Sequence, residues 1–194
     1  MRNIIDTLTK QELQKVKFIE LEKDETLFHE DEICKYIGIV IFGEIVVSSF
    51  SYNGDEIVYN IIHSDGMFGN NLIFSKEKKF KGNVISKVKT RLALINEDDF
   101  TYLLMNNEAF LKEYLRIESD FTKSLNERIK LLSFDDAEER FFYFLFINNN
   151  KIEFKSISSL ATTLSLARET LSRLISKLVR ENKIIKSKHN ISKK

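Results

Sequence analysis

Residues 158–178 read SSLATTLSLARETLSRLISKL, and no other run of the chain constrains its fold so tightly. Two segments of helical period meet at a short junction, Ser165-Leu166-Ala167. In the second segment a helix places Arg168, Glu169, Ser172, Arg173 and Lys177 on one face. Leu171, Leu174, Ile175 and Leu178 fall on the other face. In the first segment Leu160, Leu164 and Leu166 offer apolar contacts, and Ala161 is small where two helices must cross closely. Ser156 can cap the first helix, because a serine oxygen accepts the exposed backbone donors of a helix start. An ordinary helical hairpin with a solvated charged face has the same spacing. Arginines at the exposed start of a helix anchored by aliphatics are, however, suited to a DNA major groove.

Charge is distributed to match. Residues 156–194 carry nine Lys/Arg and two Glu, a net of +7, whereas the other 155 residues carry 21 basic and 27 acidic side chains, a net of −6. A basic end on an acidic body suits a polyanion, since affinity comes largely from neutralised phosphates and released counterions. A solvated basic tail without a partner would have the same count. The 194 residues suffice for one large domain or two small ones, and 43% hydrophobic content is ordinary for a globular chain. No apolar run approaches the roughly 20 residues that span a bilayer, and the opening MRNIIDTLTKQEL lacks a signal peptide's pattern. No membrane partner and a cytoplasmic location are therefore expected. A single cysteine, Cys34, allows no internal disulfide framework and fits a reducing compartment. An iron–sulfur cluster needs about four thiolates, and His29, His63 and His189 lack the spacing of metal ligands. Neither a metal nor a cluster is expected.

Along the chain, residues 9–16 are predicted to open as a short helix, with Thr9 and Glu12 as a capping box and Leu8 and Leu13 as a hydrophobic staple. From about 18 to 95 the texture is of short strands rich in Ile, Val, Phe and Tyr. Glu44–Tyr52 and Asp55–Ile62 flank Asn53-Gly54, a strong hairpin signal. Glycines at 38, 43, 66, 69 and 82 recur between the apolar runs, as in an antiparallel barrel or jelly roll. Asn96 can cap a helix whose first turn holds Glu97, Asp98 and Asp99. A long helix then spans about 107–132. On it Phe110, Tyr114, Ile117, Phe121, Leu125 and Leu132 recur near a three-four spacing, the pattern of a helix–helix seam. Part of that stripe packs on the chain's own barrel. A long helix on a small barrel has apolar surface left over, so Phe110, Tyr114, Ile117, Phe121 and Leu125 are expected to form a two-fold dimer seam. Asp135 and Glu138 form a further capping-box pattern ahead of Arg140, Phe141, Phe144 and Leu145. Asn148–Asn150 is a polar turn, Ile152–Phe154 a short strand, and 184–194 two short strands about His189-Asn190, a wing beside the second helix. The expected architecture is α+β: an N-terminal antiparallel jelly-roll barrel over 1–106, a long central helix with a hinge over 107–134, and a C-terminal winged helix-turn-helix over 135–194.

The string Arg168-Glu169-Thr170-Leu171-Ser172-Arg173 resembles the recognition helix of the Crp/Fnr family of bacterial transcription regulators, where Ser-Arg-Glu-Thr-Val-x-Arg is characteristic. Two positions depart from that pattern: the usual turn glycine is Ser165, and the Ser or Thr before the arginine is Ala167. Ser165 must then adopt a turn geometry that glycine reaches more easily. The resemblance covers nearly the whole chain, since the barrel with its GEIVVSSFSYNGDEI hairpin, the DGMFG turn, the long helix and the winged helix-turn-helix come in the family's order. It implies a homodimer in which an effector in the barrel reorients the DNA-binding domains about a hinge at Phe134–Asp136, with double-stranded DNA and RNA polymerase as partners. It also implies that Arg168, Glu169 and Arg173 reach base edges: arginine suits guanine O6/N7, and glutamate accepts from the cytosine amino group. Ser156, Ser158, Ser172, Lys177 and Lys188 would hold backbone phosphates and set register. A dimer would read an inverted repeat with half-sites about one helical turn apart.

Members of the family that bind cyclic nucleotides carry Phe-Gly-Glu and, about ten residues on, an arginine. The glutamate accepts from the ribose hydroxyl and the guanidinium grips the cyclic phosphate. Here the first motif is Phe68-Gly69-Asn70, and Phe80 stands where the arginine belongs, with Lys79 and Lys81 beside it. The base-contacting pair aligns with Leu125 and Asn126. Cyclic AMP is therefore not expected as a cofactor. The implied pocket of Asn70, Asn71, Phe80, Lys81, Leu125 and Asn126 would take an unidentified small-molecule effector, or none, with activity set by the amount of protein. A sensing thiol at Cys34 is a further option, though cysteine more often behaves as a small buried hydrophobe. Nothing in the sequence supports haem. An enzyme is not expected, because no paired nucleophile and base, no phosphate-cradling glycine loop and no metal set can be found. The rival to a DNA-binding regulator is an effector-binding barrel serving as a protein-interaction module with degenerate DNA binding, to which Ser165 and Ala167 lend weight.

Overall fold

Runs of Ile, Val, Leu and Phe, each too short for a helix and bounded by turn residues, become eight strands. These are β1 (Lys17–Leu21), β2 (Thr26–Phe28), β3 (Tyr36–Phe42), β4 (Glu44–Phe50), β5 (Glu56–His63), β6 (Met67–Phe68), β7 (Asn83–Ser86) and β8 (Thr90–Asn96). A short helix, α1 (Asn70–Ile73), follows β6. The computed structural model describes residues 3–194; Met1 and Arg2, where the expected barrel domain opens, lie outside the described residues. The strands pair antiparallel in two four-stranded sheets, β1-β8-β3-β6 and β2-β7-β4-β5. Strands distant in sequence are therefore neighbours, which is the double-sheet jelly roll expected. Ile37, Ile39 and Val40 of β3, Ile45 of β4, Val84 of β7 and Leu92 to Ile95 of β8 are all buried in a common core.

The β4–β5 hairpin closes through three residues, Tyr52, Asn53 and Gly54, between Ser51 and Asp55. Gly54 N–H donates to Ser51 O at 2.9 Å, and Ser51 N–H donates to Asp55 O at 2.8 Å. Only Gly54, at φ 86°, is left-handed there, so the loop is the three-residue kind with a glycine bulge rather than a two-residue Asn-Gly turn. At the N-terminus the expected α-helix is instead a 3-10 turn, Glu12–Lys15. The reciprocal bonds of Thr9 and Glu12 are made, at 2.8 Å and 3.3 Å, but four residues are too few to continue as an α-helix.

Two helices follow the barrel. In α2 (Glu97–Asn106) the Asn96 side chain accepts from Asp99 N–H at 2.9 Å, the cap expected. Next comes α3 (Glu108–Leu132), a single helix. The chain divides into two compact units whose boundary, between Glu118 and Ser119, falls inside α3.

The expected dimer seam needs correction at its N-terminal end. Phe110 is fully buried, with its ring 5.4 Å from Phe100. Tyr114 is edge-on to the same ring at 5.2 Å, and Tyr114 and Ile117 both pack on the barrel core. A three-four spacing marks any helix that buries one face, whether against its own domain or a second chain. Of the apolar side chains that α3 leaves exposed, Leu115 lies in its N-terminal half, and Leu125, Ile129 and Leu132 lie nearer its C-terminal end.

The second unit contains α4 (Ala137–Ile147), β9 (Lys151–Glu153), α5 (Ile157–Thr163), α6 (Arg168–Arg180), β10 (Ile184–Lys186) and β11 (Asn190–Lys193). The cap of α4 is Asp136, not Asp135: Asp136 Oδ1 accepts from Glu138 N–H at 2.8 Å and from Glu139 N–H at 2.9 Å. The strands form a sheet in the order β10-β11-β9, with Ile191 opposite Ile152. Phe141 and Leu145 of α4, Leu160 of α5, Leu171, Ile175 and Leu178 of α6, Ile184 and Ile191 make one core. This is a winged helix-turn-helix. Among the described residues no helix is long and apolar enough to cross a membrane.

Candidate nucleic-acid interface

Helix α5 starts on a reciprocal pair: Ser159 N–H donates to Ser156 Oγ at 3.0 Å, and Ser156 N–H donates to Ser159 Oγ at 3.1 Å. Ala161 and Leu164 are buried, and the Leu166 N–H closes the turn on the Ala161 carbonyl at 2.9 Å. Ser165 takes φ 51°, so the serine occupies the left-handed turn geometry expected where the family has glycine. Ala167 is the cap position of α6 and supplies no side-chain acceptor.

Burial divides α6 along its length. Leu171, Leu174, Ile175 and Leu178 are buried, while Arg168, Glu169, Ser172, Arg173 and Lys177 are exposed. The three proposed base-contacting side chains, Arg168, Glu169 and Arg173, therefore share one solvent-facing surface on the first two turns. Ser156 and Ser158 at the start of α5 are exposed too. Lys188 is exposed at the wing, in the Ser187–His189 turn between β10 and β11. Beside the wing, Glu153, Phe154, Lys155, His189 and Asn190 line an open groove of about 550 Å³.

Lys177 is the exception. Its Nζ sits 2.7 Å from Glu138 of α4, whose other oxygen takes Lys183 at 2.8 Å. The expected phosphate contact is thus already paired within its own unit, and any phosphate must compete with Glu138 for it. These two lysines, Lys177 first, hold the Glu138 carboxyl below the usual carboxylate range. The sign of the pH effect follows: a carboxyl whose folded value is depressed stabilises the fold above its unfolded value, and that contribution is lost as pH falls through the folded value. In thermal melts of the second unit between about pH 6 and pH 3, Glu138→Gln is expected to flatten part of the acid-induced fall. Parallel curves for the two proteins would mean that the pair carries no net stability.

The barrel residues expected to hold an effector are arranged otherwise. Phe80 is buried and its ring stacks on Phe28 at 5.0 Å, while Phe68 meets Phe28 edge-on at 6.4 Å. Where a guanidinium would grip a phosphate there is packed aromatic carbon, and Lys79 and Lys81 beside it are exposed. The Asn70 amide donates to Glu118 Oε1. Burial, with Glu118 alongside, pushes the Tyr114 phenol up to about 12. Asn71 is exposed, and Leu125 and Asn126 are exposed residues of the second unit. Phe80 thus presents no anion-binding group, and the Asn70 amide is already bonded within the chain. Gly69, at φ 80°, leads into α1, and a Cβ there would lie 2.7 Å from the Tyr36 carbonyl oxygen and 3.1 Å from Cys34 Sγ. Cys34 is buried under that turn, and burial pushes its thiol up to about 11. A thiol so held is disfavoured as a thiolate, the form that reacts.

Residues 18–107 match the cyclic nucleotide-binding domain family. A CooA variant from Carboxydothermus hydrogenoformans is similar over 99% of this chain and 91% of its own, with a TM-score of 0.73 at 16% identity. The catabolite activator protein of Thermus thermophilus is similar over 98% of this chain and 93% of its own, with a TM-score of 0.56 at 16% identity. The chain has the Crp/Fnr fold. A transcriptional regulator of Thermotoga maritima with this fold is 25% identical over 64% of this chain and 96% of its own, with a TM-score of 0.57. No curated protein matches the sequence. Within the Crp/Fnr fold, sequence reasoning missed Glu138, Glu118 and the carbonyl-binding role of Arg140. Each has at least one partner distant in sequence, and no local signal announces that contact.

Proposed function

We propose that the chain is a sequence-specific DNA-binding transcription regulator, a homodimer that reads an inverted-repeat operator. The division of α6 carries the reading: a buried aliphatic face fixes the helix while Arg168, Glu169 and Arg173 face outward on its first turns. The net +7 of residues 156–194 supplies the phosphate attraction. Ser156, Ser158, Ser172 and Lys188 position the backbone, with Lys177 joining once freed from Glu138. The exposed Leu125, Ile129 and Leu132 of α3 recur at four and three residues, the spacing of a two-helix seam, and support the homodimer. The effector is something other than cyclic AMP, or none, since Phe80 and Asn70 leave no cradle for a cyclic phosphate. RNA polymerase is the partner through which a bound dimer would act.

Selection of binding sites from random duplex DNA tests this. The expected result is enrichment of an inverted repeat whose half-sites lie about one helical turn apart. Recovery of no sequence above the random pool would favour the rival, a barrel that works as a protein-interaction module with degenerate DNA binding. Recovery of single half-sites alone would remove the homodimer.

A further inference from the structure

We propose that Arg140 is the positioning residue of the reading helix, locking the turn ahead of α6 to the segment that joins α3 to α4. Arg140 Nε donates to the Phe134 carbonyl at 3.1 Å, and Nη2 donates to the same oxygen. Nη1 donates to the Leu164 and Ser165 carbonyls, both at 3.2 Å. One guanidinium thus joins three backbone carbonyls from two segments, Phe134 on one side and the helix-turn-helix junction on the other. Its donors are fixed in a plane, so it sets direction as well as distance, which an ammonium on a flexible stem does not.

The junction requires such an anchor. Ser165 holds a left-handed conformation at φ 51° that costs a serine more than a glycine. Within the motif the turn is tied back to α5 by Ser165 N–H to Thr162 O at 3.0 Å and Leu166 N–H to Ala161 O at 2.9 Å. Ala167 adds no cap to α6. Arg140 enters from α4 and takes the carbonyls of the two residues at which the chain turns. The same side chain holds Phe134, so a displacement of Phe134 is transmitted to the start of α6.

This inference rests on the DNA-reading function proposed above, and the experiment separates the two. Arg140→Lys, Ser165→Gly and the double variant are made in the full chain. Hydrogen exchange is followed at the 162–167 turn without DNA, and affinity is measured on the selected site and on random duplex. Arg140→Lys is expected to speed turn exchange about tenfold while α6 core amides stay within about twofold. It is expected to weaken the selected site about tenfold and random duplex less than about twofold. Ser165→Gly alone should change little, yet restore most of the affinity in the Arg140→Lys background, because glycine takes the turn unaided. Unchanged turn exchange, equal losses on both duplexes or no rescue by glycine would each overturn the proposal. Equal binding of both duplexes by the unaltered chain would sink the DNA-reading function, and turn exchange alone would then decide whether Arg140 holds the junction.

Discussion

Phe110→Ala is expected to destabilise the first unit by about 3–5 kcal/mol, the cost of removing a fully buried ring from a packed core. Phe110 is 0% exposed and packs edge-on against Phe100 at 5.4 Å and 72°. Phe100 in turn meets Tyr114 at 5.2 Å and Phe74 at 6.2 Å, so its ring connects α2, α3 and the loop after α1. Emptying the Phe110 site leaves a void that these rings refill only in part. Chemical denaturation resolves the effect, with a transition for each unit. The first is expected to move and the second to stay. The decisive control is protein concentration. A loss internal to the barrel is the same at low and high concentration, whereas a seam residue weakens an association and its effect fades as protein is added. Concentration-dependent loss would return Phe110 to the seam.

Arg173→Ala is expected to cost roughly 1–3 kcal/mol on the selected operator, about 5- to 150-fold in affinity, and to spare most non-specific binding. Arg173 is exposed on the second turn of α6, between buried Leu171 and buried Leu174. The aliphatic neighbours fix where its stem leaves the helix, so a guanine edge in the groove would meet a pre-aimed guanidinium. Among the described residues no hydrogen bond or ion pair engages its side chain, in contrast to Lys177. Titration on operator and random duplex over a range of salt separates the roles. A base contact loses specificity and keeps the salt slope, whereas a phosphate contact weakens both duplexes alike and lowers the slope by about one.

Legibility in the sequence followed the range of the interactions involved. The two faces of α6, the Asn96 cap and the hairpin about Gly54 are set by residues within a few positions of one another. Their spacing alone located them. The strand texture of 18–95 also announced the barrel, because alternating short apolar runs have few other ways to bury both sheets. The stripe that holds Phe110 is ambiguous in sequence, because core packing and dimer packing impose the same helical period. Asp135 and Asp136 are chemically equal as caps of α4, and only the backbone geometry chooses Asp136. Glu138 with Lys177, 39 residues apart, and Asn70 with Glu118, 48 apart, depend on tertiary placement. So does the hold of Arg140 on the turn, whose Leu164 and Ser165 carbonyls lie 24 and 25 residues on.

The ring stack of Phe28, Phe68 and Phe80 has a thermodynamic consequence. A domain built around a hollow for a metabolite gains stability by mass action, in proportion to the logarithm of the free ligand over its dissociation constant. Its folded fraction, and so its survival against proteolysis, then follows the nutritional state of the cell. Here the chain's own aromatic carbon fills that position, and the cohesion of the barrel is written into the polypeptide. Packing at that position is thus present in the chain by itself, and a cyclic phosphate is not needed to complete it.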